Sequence, residues 1–329
     1  MKLGITGNGK IIHMAMDSLK EKYIPVEAMW CRNEAHGKPV CEEYDIEKLY
    51  TGYDAFLKDD SFDTVYIGLP NALHFDYTKK AIEAGKHVIV EKPFTATYKE
   101  AEELVRLADE NHVMIFEAIL SRYSDNYEAI TKYLDDIGDV KMIISNFSQY
   151  SSRYDAYKKG EAAPAFNPEM AGGTLYDLNV YNVHFVTGIF GGPKFAWYCA
   201  NKGFNGIDTS GVLVMDYGSF KAVCTAAKDS ASPCGSVIQG DEGYILVPNR
   251  PGVIHNVTLH KNHENTDTVI DVHPEPDPFR QEFEKIQEVI DSKNDTLAMN
   301  WMNHTLQTML VLDNARQDID LEFPNDQKA

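Results

Sequence analysis

Short, unbroken apolar runs dominate the first third of the chain. Lys2–Thr6, Val26–Cys31, Asp63–Pro70, His87–Val90 and Val113–Glu117 each read as a strand covered on both faces, the third ending in a proline turn. Between them the apolar spacing lengthens to a helical period. Helices are predicted from Lys10 to about Leu19, over Tyr77–Ala84, and from Tyr98 to about Asn111, with Ala101, Leu104, Val105 and Ala108 on one face. Thr97 and Glu100 form a capping box at the start of the last. Strand and helix alternating in this way predict a doubly wound parallel sheet over residues 1–120.

Past Glu117–Ser121 the pattern changes. An amphipathic helix is predicted over Tyr123–Leu134, an alternating strand over Lys141–Tyr150, and a polar loop over Ser151–Ala165. Ala171-Gly172-Gly173 opens a helix that closes at Gly191-Gly192. Strand signals then follow in series: Ala196–Ala200, Thr209–Met215, Phe220–Ala226, Ser236–Gln239, Tyr244–Val247, Val253–Leu259 and Thr268–Val272. Helices over about Asp277–Asp291 and Leu297–Arg316 close the chain. Residues 121–329 therefore read as an α+β domain with an open-faced, mainly antiparallel mixed sheet. Its outer face needs cover from helices or a second subunit.

Composition narrows the partners. The 329 residues carry a formal charge of −19, which repels nucleic acid and anionic lipid. A phosphate-bearing ligand must then be held by a local feature such as a helix N-terminus. The apolar fraction is 43% with no stretch long enough to span a membrane, and the N-terminus lacks a signal-peptide pattern. Five cysteines, Cys31, Cys41, Cys199, Cys224 and Cys234, show no metal or disulfide spacing, and the cytoplasm is the expected compartment. His255, His260 and His263 could be assembled into a metal site, but loop histidines beside Asn and Lys read better as solvated, and no metal is expected.

The candidate chemistry sits at strand ends. Gly7-Asn8-Gly9 follows the first strand and opens the first helix, so the backbone of Gly7, Asn8, Gly9, Lys10 and Ile11 is a candidate pyrophosphate cradle. The third small position of the usual glycine fingerprint is occupied by Ile12. At the tip of the second strand, Cys31-Arg32 stands where a ribose-binding carboxylate is usual; Arg32 favours the 2′-phosphate of NADP, or is a solvated loop residue while NAD binds without it. Leu69 and Pro70 flank the nicotinamide side of the same crevice, and Asn71 could cap the following helix or touch the ribose. His74 either touches the ribose or, as the preferred reading, faces solvent at a helix start. Glu91-Lys92-Pro93 ends the strand beginning at His87, which places Lys92 at the crevice mouth. Later, Asp177 and Tyr181 are spaced i, i+4 on one face of the glycine-started helix, with His184 three beyond. An acid, a phenol and an imidazole on one face of a buried helix need partners or a cavity; a satisfied hydrogen-bond cluster is one reading, and it is the preferred one for His184.

Gly7-x-Gly9, Pro70-Asn71-x-x-His74, Ala84-Gly85-Lys86-His87 leading to Glu91-Lys92-Pro93, and Gly172-Gly173 leading to Asp177 and Tyr181 resemble the glucose-fructose oxidoreductase/inositol dehydrogenase (Gfo/Idh/MocA) family. The resemblance runs nearly the length of the chain, through Gly240-Asp241-Glu242-Gly243. It implies an N-terminal Rossmann domain, NADP or NAD as hydride carrier, a sugar, polyol or cyclic diol as substrate, and a homodimer or higher oligomer through the C-terminal sheet. Many sugar-acting members carry histidine where this chain has Tyr181; tyrosine there is similar to the dimeric dihydrodiol dehydrogenase branch. On that likeness the catalytic set is Lys92, Tyr181 and Asp177, and the cofactor contacts include Glu91 and Lys92. A free phenol has a pKa of about 10, so Tyr181 needs a cation such as Lys92 to work near neutrality. Two other readings stay open: a dinucleotide- or sugar-sensing regulator of the same fold, and an NAD-dependent glycoside-cleaving enzyme.

Overall fold

The computed structural model describes residues 1–22, 24–272 and 277–327. It divides into two compact units, Met1–Ala118 with Phe279–Asn303, and Ile119–Pro278 with His304–Ala329.

In the first unit the five expected runs become β1 (Leu3–Thr6), β2 (Val26–Trp30), β4 (Thr64–Ile67), β5 (His87–Glu91) and β6 (Ile115–Ala118), and a strand the pattern missed, β3 (Lys48–Tyr50), joins them. They form one parallel sheet in the order β3-β2-β1-β4-β5-β6. The order reverses between β1 and β4, which makes their carboxyl ends a topological switch point. Helices α1 (Lys10–Lys22), α2 (Glu34–Tyr44), α3 (Tyr53–Leu57), α4 (His74–Glu83) and α5 (Tyr98–Glu110) connect the strands. The stretch 34–62 carries no clear period because Gly37 and Pro39 fall inside α2; its start is nonetheless fixed by Asn33, whose Oδ1 accepts the Ala35 N–H at 2.9 Å. The capping box of α5 is complete: Thr97 Oγ1 accepts from Glu100 N and Glu100 Oε2 accepts from Thr97 N, both at 3.3 Å.

Elements of the second unit are α6 (Asp125–Ile130), β7 (Val140–Ser148), α7 (Tyr154–Tyr157), α8 (Val180–Phe190), then β8 (Phe195–Lys202), β9 (Asp208–Asp216), β10 (Lys221–Ala227), β11 (Gly235–Gly240), β12 (Gly243–Val247), β13 (Val257–Lys261) and β14 (Thr266–Ile270). The eight strands run in the order β14-β13-β12-β11-β7-β10-β9-β8. Only the β7–β10 pair is parallel, so the sheet is mixed and mainly antiparallel as expected.

Several boundaries differ from the pattern. The helix expected over Tyr123–Leu134 is α6 flanked by 3₁₀ turns, because its residues also serve side-chain bonds such as Asn126 Nδ2 to the His255 carbonyl at 2.6 Å. The strand expected from Val253 begins at Val257, after a turn in which Val253 N bonds the Arg250 carbonyl. The largest correction concerns the closing helices, α9 (Pro278–Asp291) and α10 (Asp295–Gln317), both assigned above to the second domain. Phe279–Asn303 groups with the first unit. There Phe283 packs on Tyr66 of β4 with ring centroids 5.6 Å apart, and Trp301 packs on Phe116 of β6 at 6.1 Å. An amphipathic period identifies a buried face but not which sheet buries it.

Candidate active site

The switch point is built from the ends of β1 and β4. Gly7 is buried, and Asn8, Gly9 and Lys10 are exposed at the start of α1, whose first turn carries no acid. A β-carbon at Gly9 would meet open space. The anomalous Ile12 is accommodated by Gly68, just past β4: a β-carbon at Gly68 would collide with Ile12 Cδ1. Ile12 is fully buried, so the room usually left by a small residue on the helix is supplied by a glycine on the facing strand end. Arg32 is exposed beyond β2, while Cys31 is buried. Open backbone at a helix N-terminus, a first turn without an acid and an exposed guanidinium fit a dinucleotide phosphate.

On the β4 side, Leu69, Pro70 and Asn71 are partly exposed. His74 corrects the solvent-facing expectation: it is fully buried, and its ring spans two turns, Nε2 at 2.8 Å from the Leu69 carbonyl and Nδ1 at 2.9 Å from the Pro93 carbonyl. Burial pushes its pKa down, while the two carbonyls and Glu117 oppose that shift. His74 thus ties the turn after β4 to the turn after β5 rather than offering its ring outward.

Lys92 is partly buried at the end of β5, and its peptide to Pro93 is cis. The turn beyond it is anchored by Glu117 of β6, whose Oε1 accepts the Phe94 N–H at 3.0 Å. Glu91, expected at the cofactor, is buried and accepts the Tyr66 hydroxyl. Burial pushes its pKa up to about 7. Glu282 of α9 is fully buried nearby, held well above the usual carboxylate range by burial and by Glu91 and Glu117.

In the second unit the glycine-started helix opens with a π turn, Leu175–Asn179, before α8. Such turns are frequent at functional sites. Asp177, Leu178 and Tyr181 are the partly exposed positions among buried Tyr176, Asn179, Val180, Asn182 and Val183, which puts the acid and the phenol on one face. The opposite face is anchored by polar groups. Asn182 Nδ2 donates to the Thr225 carbonyl of β10 at 3.0 Å, and its Oδ1 accepts from Ser145 of β7 at 2.8 Å. The helix start is capped by the buried Asp208 of β9, whose Oδ2 accepts from Leu175 N at 2.6 Å and from the Tyr198 hydroxyl at 2.8 Å.

Asp177 Oδ2 lies 2.7 Å from Lys228 Nζ. Sequence reading did not find Lys228, because no local pattern marks a lysine one residue past a strand. The Tyr181 ring packs on Phe147 at 5.6 Å. His184 joins a buried cluster, with Nδ1 3.3 Å from His304 Nε2 and from Thr308 Oγ1. Of the late histidines, His260 stacks on Tyr244 at 4.5 Å and pairs with Asp267 at 2.8 Å. Among the described residues, no helix is long and apolar enough to cross a membrane.

Residues 1–119 match the model of an oxidoreductase family with an NAD-binding Rossmann fold, GFO_IDH_MocA. The chain is 28% identical over 330 residues, 99% of each chain, to the scyllo-inositol 2-dehydrogenase (NADP(+)) IolU of Bacillus subtilis. It is 31% identical to the trans-1,2-dihydrobenzene-1,2-diol dehydrogenase of Xenopus tropicalis, over 75% of each. Among solved structures, KijD10, a 3-ketoreductase from Actinomadura kijaniata with NADP and TDP-benzene, superposes with a TM-score of 0.83 over 97% of each chain at 21% identity.

Proposed function

The chain belongs to the Gfo/Idh/MocA oxidoreductase family, and from that premise we propose that it transfers a hydride between nicotinamide C4 and a carbinol carbon of a sugar, polyol or cyclic diol. NAD(P) is its cofactor, and the relatives act on CH–OH groups. The observation that carries the reading is Lys92, a cation on a rigid strand end beside the switch point, with its turn anchored by Glu117 and His74.

The bound dinucleotide supplies the hydride acceptor or donor. The backbone of Gly7, Asn8, Gly9, Lys10 and Ile11 holds the pyrophosphate. Leu69, Pro70 and Asn71 line the nicotinamide side. Lys92 hydrogen-bonds the substrate oxygen and stabilises negative charge there. Tyr181 takes the hydroxyl proton on oxidation and returns it on reduction, and Asp177 orients the substrate. Tyrosine at position 181 favours the diol dehydrogenase branch over the inositol and sugar enzymes. The test is a panel of diols, aldoses and polyols with NAD and NADP in parallel, followed by nicotinamide absorbance. Turnover on cyclic diols or sugars supports the reading; tight cofactor binding with no turnover on any member overturns it in favour of a sensor.

NADP is the assigned form, through Arg32. Arg32→Ala is expected to raise the Kd for NADPH about 10- to 100-fold, the worth of a charge-assisted phosphate contact, and to change that for NADH less than about threefold. Fluorescence titration with both nucleotides reads it. Equal weakening of both, or of neither, removes Arg32 from the phosphate site.

A second copy covers the sheet face of the second unit. Register places Trp197, Val214, Val223, Ile144, Val237 and Leu246 in one row across β8, β9, β10, β7, β11 and β12. Trp197 is 58% and Ile144 41% exposed. An apolar row of that length is costly in water. Light scattering is expected to give a dimer or larger oligomer, and Trp197→Glu to halve the mass or more. A monomeric wild type sinks this assembly.

A further inference from the structure

We propose that Lys228 is a positioning residue that holds Asp177 in a single orientation and couples it to the loop at residues 163–167. The proposal rests on the reading of Asp177 as a site residue.

Lys228 follows β10 directly, and its side chain is only 3% exposed. A lysine is almost never buried to that degree unless its charge is matched. Three partners from two chain segments surround this ammonium. Asp177 Oδ2 is 2.7 Å away, the Ala165 carbonyl accepts at 2.6 Å, and the Phe166 ring centroid lies 4.2 Å off. The lysine's own backbone is pinned as well: its N–H donates to the Thr209 carbonyl at 2.8 Å, and its carbonyl accepts from Ser151 N at 2.9 Å. Asp208 also faces Lys228, but its Oδ2 is already engaged by Leu175 N–H and the Tyr198 hydroxyl.

Asp177 differs from Lys228 in being one-third exposed. It is therefore a partly exposed carboxylate with one oxygen on a fixed, buried cation. A surface ion pair contributes little because two mobile side chains must be ordered together. Here the cation is ordered by its other contacts, so the pair orients the acid at small additional entropic cost. Ala165 and Phe166 belong to a 3₁₀ turn that abuts the Gly172 backbone, where a β-carbon would lie 2.6 Å from the Pro164 carbonyl. A shift of that turn is thereby transmitted to the acid through one ammonium.

The experiment is a double-mutant cycle on kcat and KM, with crystal structures of wild type and Lys228→Met. Lys228→Met is expected to lower kcat about 10- to 100-fold, the scale of a misplaced positioning group, with the Kd for NADPH unchanged within about twofold. In an Asp177→Asn background the same change is expected to cost less than about threefold further. A purely structural lysine lowers kcat by the same factor in both backgrounds, and that result overturns the proposal. Full activity in Asp177→Asn alone overturns the reading of Asp177 instead, so the two failures are separable. The crystal structures decide independently of turnover: Asp177 is expected to keep one rotamer in wild type and leave it in Lys228→Met, and an unmoved carboxylate overturns the proposal. Lys228→Gln, which keeps a donor for the Ala165 carbonyl, carries the same tests if the methionine variant does not fold.

Discussion

Lys92→Ala is expected to lower kcat/KM by about 10²- to 10⁴-fold, the range spanned by a group that assists proton transfer and stabilises charge at the reacting oxygen. Cofactor affinity is expected to change much less, because pyrophosphate binding is assigned to the backbone after β1. The side chain stands at the end of β5, the strand flanked by β4 and β6. Its neighbours along the chain are held by buried bonds: Glu91 accepts the Tyr66 hydroxyl, and Phe94 N donates to Glu117. Removing the ammonium leaves those bonds in place, so the loss is expected in turnover rather than in fold. Tyr181→Phe removes only a hydroxyl and is expected to cost a similar factor. Stopped-flow turnover with saturating NADPH, set beside nucleotide titration, separates the two quantities. A Lys92→Ala enzyme within threefold of wild type would falsify the site assignment. A variant that fails to bind NADPH places Lys92 in cofactor binding instead of chemistry.

The largest stability effect is expected at Gly173. Its φ is +105°, a backbone region that residues with a β-carbon rarely adopt, and a β-carbon there would collide with Asp208 Oδ1. Asp208 has nowhere inexpensive to go. It is fully buried, and its other oxygen caps Leu175 and accepts from Tyr198. Gly173→Ala therefore combines backbone strain of about 1–3 kcal/mol with partial loss of a helix cap, worth about 0.5–2 kcal/mol. A fall in Tm of roughly 5–15 °C is expected for the unit that carries it. The capped helix bears Asp177 and Tyr181, so turnover should fall at temperatures where the variant is still folded. Gly160→Ala is the control: φ is +95° there, but nothing lies within 4 Å of the added carbon. Equal melting shifts for the two variants would show that strain alone matters and that Asp208 yields.

Which features the sequence determined, and which it did not, follows from the range of the forces involved. Strand and helix identity is local. Unbroken β-branched runs such as His87–Val90 suit a strand covered on both faces, and the alternation of Lys141–Tyr150 suits a half-exposed one; both appear as β5 and β7. The capping box at Thr97 and the glycine turn at Gly7-Asn8-Gly9 are also set by neighbours a few residues apart, and both lie where the spacing puts them. Placement of Lys92 at a strand end follows from the same local pattern.

Long-range pairing was decided only in three dimensions. Ile12 looks like a defect in the glycine fingerprint until Gly68, just past a strand and 56 residues away, is seen to make room for it. His74 reads as a solvent-facing helix start because the carbonyls that bury it, at Leu69 and Pro93, belong to two different turns. The first closing helix has a clear apolar face, but only packing against Tyr66 and Phe116 assigns Phe279–Asn303 to the first unit. Lys228 is invisible as a motif, since its significance comes from Asp177 and Ala165, which approach it only through the folding of the sheet. Backbone propensity and periodicity act over a few residues and are written in the order of the chain. Charge matching and the sharing of space act between residues distant in sequence, so they are settled by the tertiary structure.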